Sequence, residues 1–153
     1  MHPKYHLLIG FTAFFILVYF FNFPLIAGLI IFLSSVFIDI DHIIRYIWLE
    51  RSINPVKFWN YSMKKTRQWH SLSYSQKRKV KLSVFFSHGI EFWIIIIILA
   101  FSFSLFLWIL IGIGIHMIAD IASLIHYKDP LYSKLSIIYT LMKNKNKIPI
   151  SKL

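Results

Sequence analysis

Apolar residues along this chain gather in four long runs, separated by polar stretches of very unequal length. An α-helix rises 1.5 Å per residue, so about 20 apolar residues cross the hydrocarbon of a bilayer. The first run extends from about Leu7 to Phe23. The second begins at Pro24, a residue suited to a first helical turn, reaches Ile38 and continues as a helix toward Trp48. The third covers about Leu82 to Phe101, with the unbroken stretch Ile94 to Ile98, and the fourth about Leu105 to Ile125. The connectors, at Asn22 to Pro24 and Ser102 to Ser104, are tight enough to pair the helices into two antiparallel hairpins. The pattern predicts an all-α, polytopic membrane protein with four transmembrane helices. Its single membrane-embedded domain covers residues 1–125, including an interfacial segment at 50–81, and a basic tail covers 126–153. A cleaved signal peptide is not expected, because no small-residue cleavage site follows the first run and a second run follows almost at once.

Composition agrees with this division. Of 153 residues, 58% are hydrophobic, which excludes an ordinary soluble domain. The 17 Lys and Arg exceed the 6 Asp and Glu, giving a formal charge of +11. Their positions are more telling than their number: Lys4 precedes the first run, Arg45 to Lys81 carry the densest group, and Lys128 to Lys152 follow the fourth. The two tight connectors carry none. Positively charged loops stay on the cytoplasmic side, so both termini are expected there, in a multi-pass protein of the inner or plasma membrane. Between Glu50 and Lys81, Trp59, Tyr61, Trp69 and Tyr74 are interleaved with Lys64, Lys65, Arg67, Lys77, Arg78 and Lys79. This mixture suits anionic lipid headgroups as partners more than nucleic acid. The absence of cysteine excludes disulfides, thiolate metal sites and cysteine nucleophiles.

Candidate chemistry lies in the few polar groups that the runs retain, since a charge near mid-bilayer costs at least ~2.5 kcal/mol. His6 opens the first run; Asp39, Asp41 and His42 close the second; His88 and Glu91 lie early in the third; His116 and Asp120 lie late in the fourth. Helical rise gives their depth from the nearest cytoplasmic basic residue. It is about 3 Å for His6, about 9 Å for Asp39, about 10 and 15 Å for His88 and Glu91, and about 12 and 18 Å for Asp120 and His116. All four helices therefore bring polar groups into the inner half, where two hairpins can converge on a cavity open to the cytoplasm. Residues three or four apart share a helix face, which pairs His88 with Glu91, His116 with Asp120 and Asp39 with His42. Asp41 falls on another face of an unbroken helix and so meets water or marks a distortion.

Imidazole and carboxylate donors together suit a divalent metal, zinc first, with manganese or iron as alternatives. The full candidate ligand set is His6, Asp39, Asp41, His42, His88, Glu91, His116 and Asp120. It exceeds one tetrahedral site, so two ions are an option, as is a role for some carboxylates in orienting the histidines. Glu91 and Asp41 are the candidate catalytic bases. The alternative is a non-catalytic cluster that binds metal or locks the helices together. Other polar positions read more plainly: His2, His70 and His126 as solvated, Asp129 before Pro130 as a turn, Lys143 to Lys147 as a frayed end, and Gly112 and Gly114 as aids to close helix packing.

Four motifs carry a resemblance: His6-Leu-Leu-Ile-Gly10, Ile38-Asp39-Ile40-Asp41-His42, Ser87-His88-Gly-Ile-Glu91 and His116-Met-Ile-Ala-Asp120. Over His6 to Asp120 the chain resembles a family of small prokaryotic inner-membrane proteins described as membrane-bound metal-dependent hydrolases, including the LexA-binding inner-membrane type. Ile38 stands where that family has proline, and Glu91 is an additional acid. The family is itself distantly similar to zinc-dependent phospholipase C and P1-type nucleases. The resemblance implies hydrolysis of a phosphoester or lipid substrate from the cytoplasmic side.

Overall fold

The structure, a computed structural model, describes residues 3–150 of the chain; His2 and Lys152 lie outside them. It is helical: α1 (Pro3–Tyr19), α2 (Leu25–Phe37), α3 (Ile40–Glu50), α4 (Pro55–His70), α5 (Tyr74–Lys79), α6 (Ile90–Ser102), α7 (Ser104–His126) and α8 (Ile137–Asn144). Short 3₁₀ turns stand at Phe86–His88 and Leu131–Lys134. The only β-pairing among the described residues is a single bridge between Val80 and Ile148.

The apolar runs explain the bundle. α7 packs on α1, α2 and α6, and α1 packs on α2. Each central helix buries one stripe at helical spacing: Ala27, Gly28, Ile31 and Ser35 on α2; Gly112, Ile113, His116, Met117, Ala119, Asp120 and Leu124 on α7. Ile38, Ile96, Ile113 and Met117 form the core, with Phe92, Trp93, Phe106 and Ile109 against it. The outer faces remain apolar, with Leu8, Phe11, Phe15, Ile26, Leu29, Ile94 and Ile98 all exposed. Two stretches are long and apolar enough to cross a membrane, Leu25–Glu50 and Ser104–His126; α1 and α6 are apolar but shorter.

Glycine brings the two central helices together. A Cβ on Gly112 would press into Ser34 Oγ and the Ile31 carbonyl, the latter unable to rotate away, whereas a Cβ on Gly114 would meet nothing within 4 Å. Of these two glycines, only Gly112 serves close packing. Gly112→Ala is expected to lose about 1–3 kcal/mol through overpacking. Gly114→Ala should be neutral or gain up to ~1 kcal/mol from helix propensity. Thermal unfolding of the two variants in the same detergent separates them.

Three local expectations are corrected. The second run is not one smooth helix: Asp39, at φ −77° and ψ 4°, leaves the helical region between α2 and α3. The third run enters its helix only at Ile90, because residues up to Gly89 take extended backbone around the 3₁₀ turn. The tail is not frayed. Asn144 both donates to the Leu82 carbonyl and accepts from the Leu82 N–H, at 2.8 and 2.9 Å, and Ile148 pairs with Lys79 and Lys81.

Candidate metal centre

Seven of the eight sequence-selected residues meet at one end of the bundle. α1 supplies His6, the α2–α3 break Asp39, the start of α3 Asp41 and His42, the 3₁₀ turn His88, and α7 His116 and Asp120. The break at Asp39 brings both aspartates to the same centre. In a regular helix they would diverge by roughly 200°; here Asp39 Oδ1 lies 3.2 Å from His88 Nε2 while Asp41 Oδ2 lies 3.4 Å from the Nδ1 of the same ring. Asp41 thus marks the distortion that its position in the pattern left open.

Hydrogen bonds fix two imidazoles with their Nε2 atoms inward. His116 Nδ1 lies 2.8 Å from the Ser35 carbonyl, which can only accept, so Nδ1 carries the proton and Nε2 a lone pair. His88 Nδ1 lies 3.1 Å from Ser87 Oγ. The Ser87 hydroxyl donates to Asp41 Oδ2 at 2.5 Å or to the Ile38 carbonyl at 2.8 Å, leaving its oxygen and the Asp41 carboxylate to accept from the ring. This carboxylate-to-histidine arrangement is the one that orients metal-binding imidazoles. His6 stacks on His116 at 3.9 Å and presents Nε2 to Asp120 Oδ1 at 3.3 Å. His42 stacks on Phe85 at 3.7 Å.

The inward atoms face one another. His88 and His116 Nε2 lie 3.2 and 3.6 Å from Asp39 Oδ1, and 3.5 and 3.4 Å from Asp120 Oδ2. Two ligands of one tetrahedral ion, at bonds of 2.0–2.1 Å, stand about 3.3 Å apart. His42 Nε2 adds a third ring nitrogen, 3.5 Å from Asp39 Oδ1. Asp39 Oδ1, Asp41 Oδ1 and the Nε2 atoms of His42, His88 and His116 are buried without a hydrogen bond. Each such atom costs about 1–3 kcal/mol if nothing is supplied to it. The overlapping groups Asp39–Asp41–His42–His88, His6–Asp39–His116 and His88–His116–Asp120 can each hold a metal ion. His6, His88, His116 and Asp120 are almost completely buried, whereas His42 is 34% exposed, which marks the open side.

Glu91 does not join the centre. Its Oε1 accepts from Ser136 Oγ and from the N–H of Ile138, and its Oε2 from the N–H of Ile137. It caps α8 from another helix, so the expected roles as ligand and base do not fit its position. The expected face-sharing of His88 and Glu91 is lost because the chain is helical only after Gly89.

The centre has three further contributors, of which only Ser87, beside His88 in the third motif, is visible in the sequence pattern. The Ser35 carbonyl and Ser87 orient imidazoles, and Lys134 forms an ion pair with Asp120. The spacing of Ser87 beside His88 was a usable signal; the other two had none. Among residues read as peripheral, His70 stacks on Tyr127 at 4.1 Å. Asp129 is more than a turn residue: it accepts from Lys77 Nζ at 2.7 Å and Trp69 Nε1 at 3.0 Å.

No family model matches this chain, and comparisons with curated proteins and with solved structures find no match.

Proposed function

We propose that this is a multi-pass membrane protein, with four spans and both termini cytoplasmic, that binds a divalent metal, zinc by preference, and uses it to hydrolyse an ester. The observation that carries the metal reading is the set of buried Nε2 and carboxylate atoms facing one another without hydrogen bonds. Zinc is favoured over harder ions because at least two imidazoles are tied with their lone pairs inward. The motif resemblance to membrane-bound metal-dependent hydrolases, distantly similar to zinc-dependent phospholipase C, points to a phosphoester, and the membrane setting to a lipid of the cytoplasmic leaflet.

When bound, a divalent ion supplies Lewis-acid polarisation of the scissile phosphoryl or carbonyl group. The chain's own residues supply the rest. Asp41 is the candidate base: Ser87 holds its Oδ2, while Oδ1, 3.9 Å from His42 Nε2, makes no hydrogen bond and can take a proton from water. His42 lines the exposed side from which substrate enters. The basic aromatic helix α4 has no fully buried residue and leaves Lys57, Lys64, Lys65 and Arg67 exposed, as suits contact with anionic headgroups. A non-catalytic, structural centre is the second reading, favoured by the deep burial of His88, His116 and Asp120, since structural metal sites are closed.

Hydrolysis of phosphatidic acid and of a soluble phosphodiester by zinc-loaded, detergent-purified protein tests the reading. Turnover lost in Asp41→Asn with metal retained supports it; zinc bound stoichiometrically without turnover on either substrate favours the structural centre. Because the chain lacks cysteine, single cysteines read topology directly. An impermeant thiol reagent added to intact cells should label Phe103→Cys and spare Ser71→Cys; the reverse pattern overturns the orientation.

A further inference from the structure

Resting on the hydrolase reading above, we infer that Lys134 is a substrate-binding residue of the centre, whose ammonium takes an anionic oxygen of the substrate's phosphoryl group. It lies beyond the four motifs, in the 3₁₀ turn after α7. Its Nζ donates to Asp120 Oδ2, and its side chain is only 14% exposed. The same carboxylate oxygen lies 3.5 and 3.4 Å from the Nε2 atoms of His88 and His116. The ammonium thus adjoins the atoms that would hold the ion.

An ammonium carries three N–H donors and no acceptor. Among the described residues Asp120 takes one of them, and no other hydrogen bond engages Nζ. Donors so largely withdrawn from water gain from a partner, and phosphoryl oxygens accept such bonds in their strong, charge-assisted form. The fold also fixes where these donors stand. The Leu135 carbonyl accepts from the N–H of Ile90 at 2.9 Å, Glu91 accepts from Ser136 Oγ at 2.7 Å, and Thr140 Oγ1 donates to the Tyr132 carbonyl at 2.8 Å.

Charge gives such a residue its use. The carboxylates of Asp39, Asp41 and Asp120 all belong to the centre, and each repels an anionic phosphoryl group. An ammonium beside them adds an attractive partner, one that a neutral carboxylic ester would not need. The charge of Lys134 reaches Asp39, His42 and His88 as well as Asp120, and His42 lines the exposed side. The N-terminal ammonium also acts on Asp120 and adds to the same positive field.

Equilibrium dialysis of the zinc-loaded, detergent-purified full chain against radiolabelled inorganic phosphate tests this, with bound zinc measured in the same samples. Lys134→Gln should weaken phosphate binding about tenfold or more while holding zinc no less tightly than the wild type. Lys134→Arg should recover most of the phosphate binding. Unchanged phosphate binding in Lys134→Gln with zinc retained overturns the inference and leaves the metal reading standing. Loss of zinc together with phosphate in a folded Lys134→Gln overturns it as well, because the lysine then serves the ligand set and not the substrate. Lys134→Met, closer in shape to the lysine stem, takes the place of Lys134→Gln if that variant does not fold. A zinc-loaded wild type that binds no phosphate overturns the inference without any variant. A wild type that binds no zinc removes the hydrolase reading itself, and this inference with it.

Discussion

Alanine at His116 is expected to weaken zinc binding by more than about 100-fold, exceeding the 10- to 100-fold typical for loss of an orienting partner alone. His116 Nε2 stands within 3.6 Å of both Asp39 Oδ1 and Asp120 Oδ2. The substitution also strands the Ser35 carbonyl and removes the ring stacked on His6, so some stability is lost with it. Competition against a chromophoric chelator gives the affinity, and thermal unfolding without metal gives the stability. His126→Ala serves as the comparison, since that ring lies at the far end of α7 and stacks edge-on against Tyr127. Equal zinc affinity in wild type and His116→Ala would remove His116 from the centre.

The second large effect lies away from the centre. Lys77 and Asp129 form a buried ion pair, with side chains 7% and 12% exposed. Lys77 also donates to the Tyr127 carbonyl at 3.0 Å and lies over the Trp69 ring. Removing one partner leaves a charge buried without compensation, so Asp129→Ala is expected to cost about 3–5 kcal/mol. Lys77→Met with Asp129→Asn should recover most of that loss, because no charge is then stranded and the amide oxygen still accepts from Trp69. The measurement is the unfolding midpoint of the single and double variants. A double variant no more stable than Asp129→Ala would show that the pair contributes through its contacts and not through charge.

How far the sequence reveals this arrangement depends on what each feature rests upon. The helical bundle follows from long apolar runs, and those of α1, α2, α6 and α7 are unmistakable. The meeting of His6, Asp39, Asp41, His42, His88, His116 and Asp120 follows from their similar depths, which helical rise alone makes calculable. Glu91 satisfied the same depth test and was misplaced by it, because the test assumes a continuous helix from Leu82. The irregular backbone up to Gly89 breaks that assumption. The bend at Asp39 has no proline or glycine to announce it; its reason is tertiary, the recruitment of Asp39 and Asp41 to one imidazole. The tail was hardest to read, since its basic residues carry no periodicity. Ser136 caps α8 with Tyr139 at the third helical position, where a local capping box would place an acid or amide. The carboxylate arrives from Glu91 on α6, an interaction that adjacent sequence cannot display.

The pairing of His6 on α1 with Asp120 on α7 bears on the order of assembly. The chain emerges from its N-terminal end, so His6, Asp39 and Asp41 are synthesised before Asp120 and Lys134. A partly synthesised chain therefore carries half of the polar centre without its partners from α7. It gains its remaining partners only when α7 and the segment after it have docked. Completion of the centre is thus a late event in biogenesis, and an occupied centre would report that the whole bundle has formed.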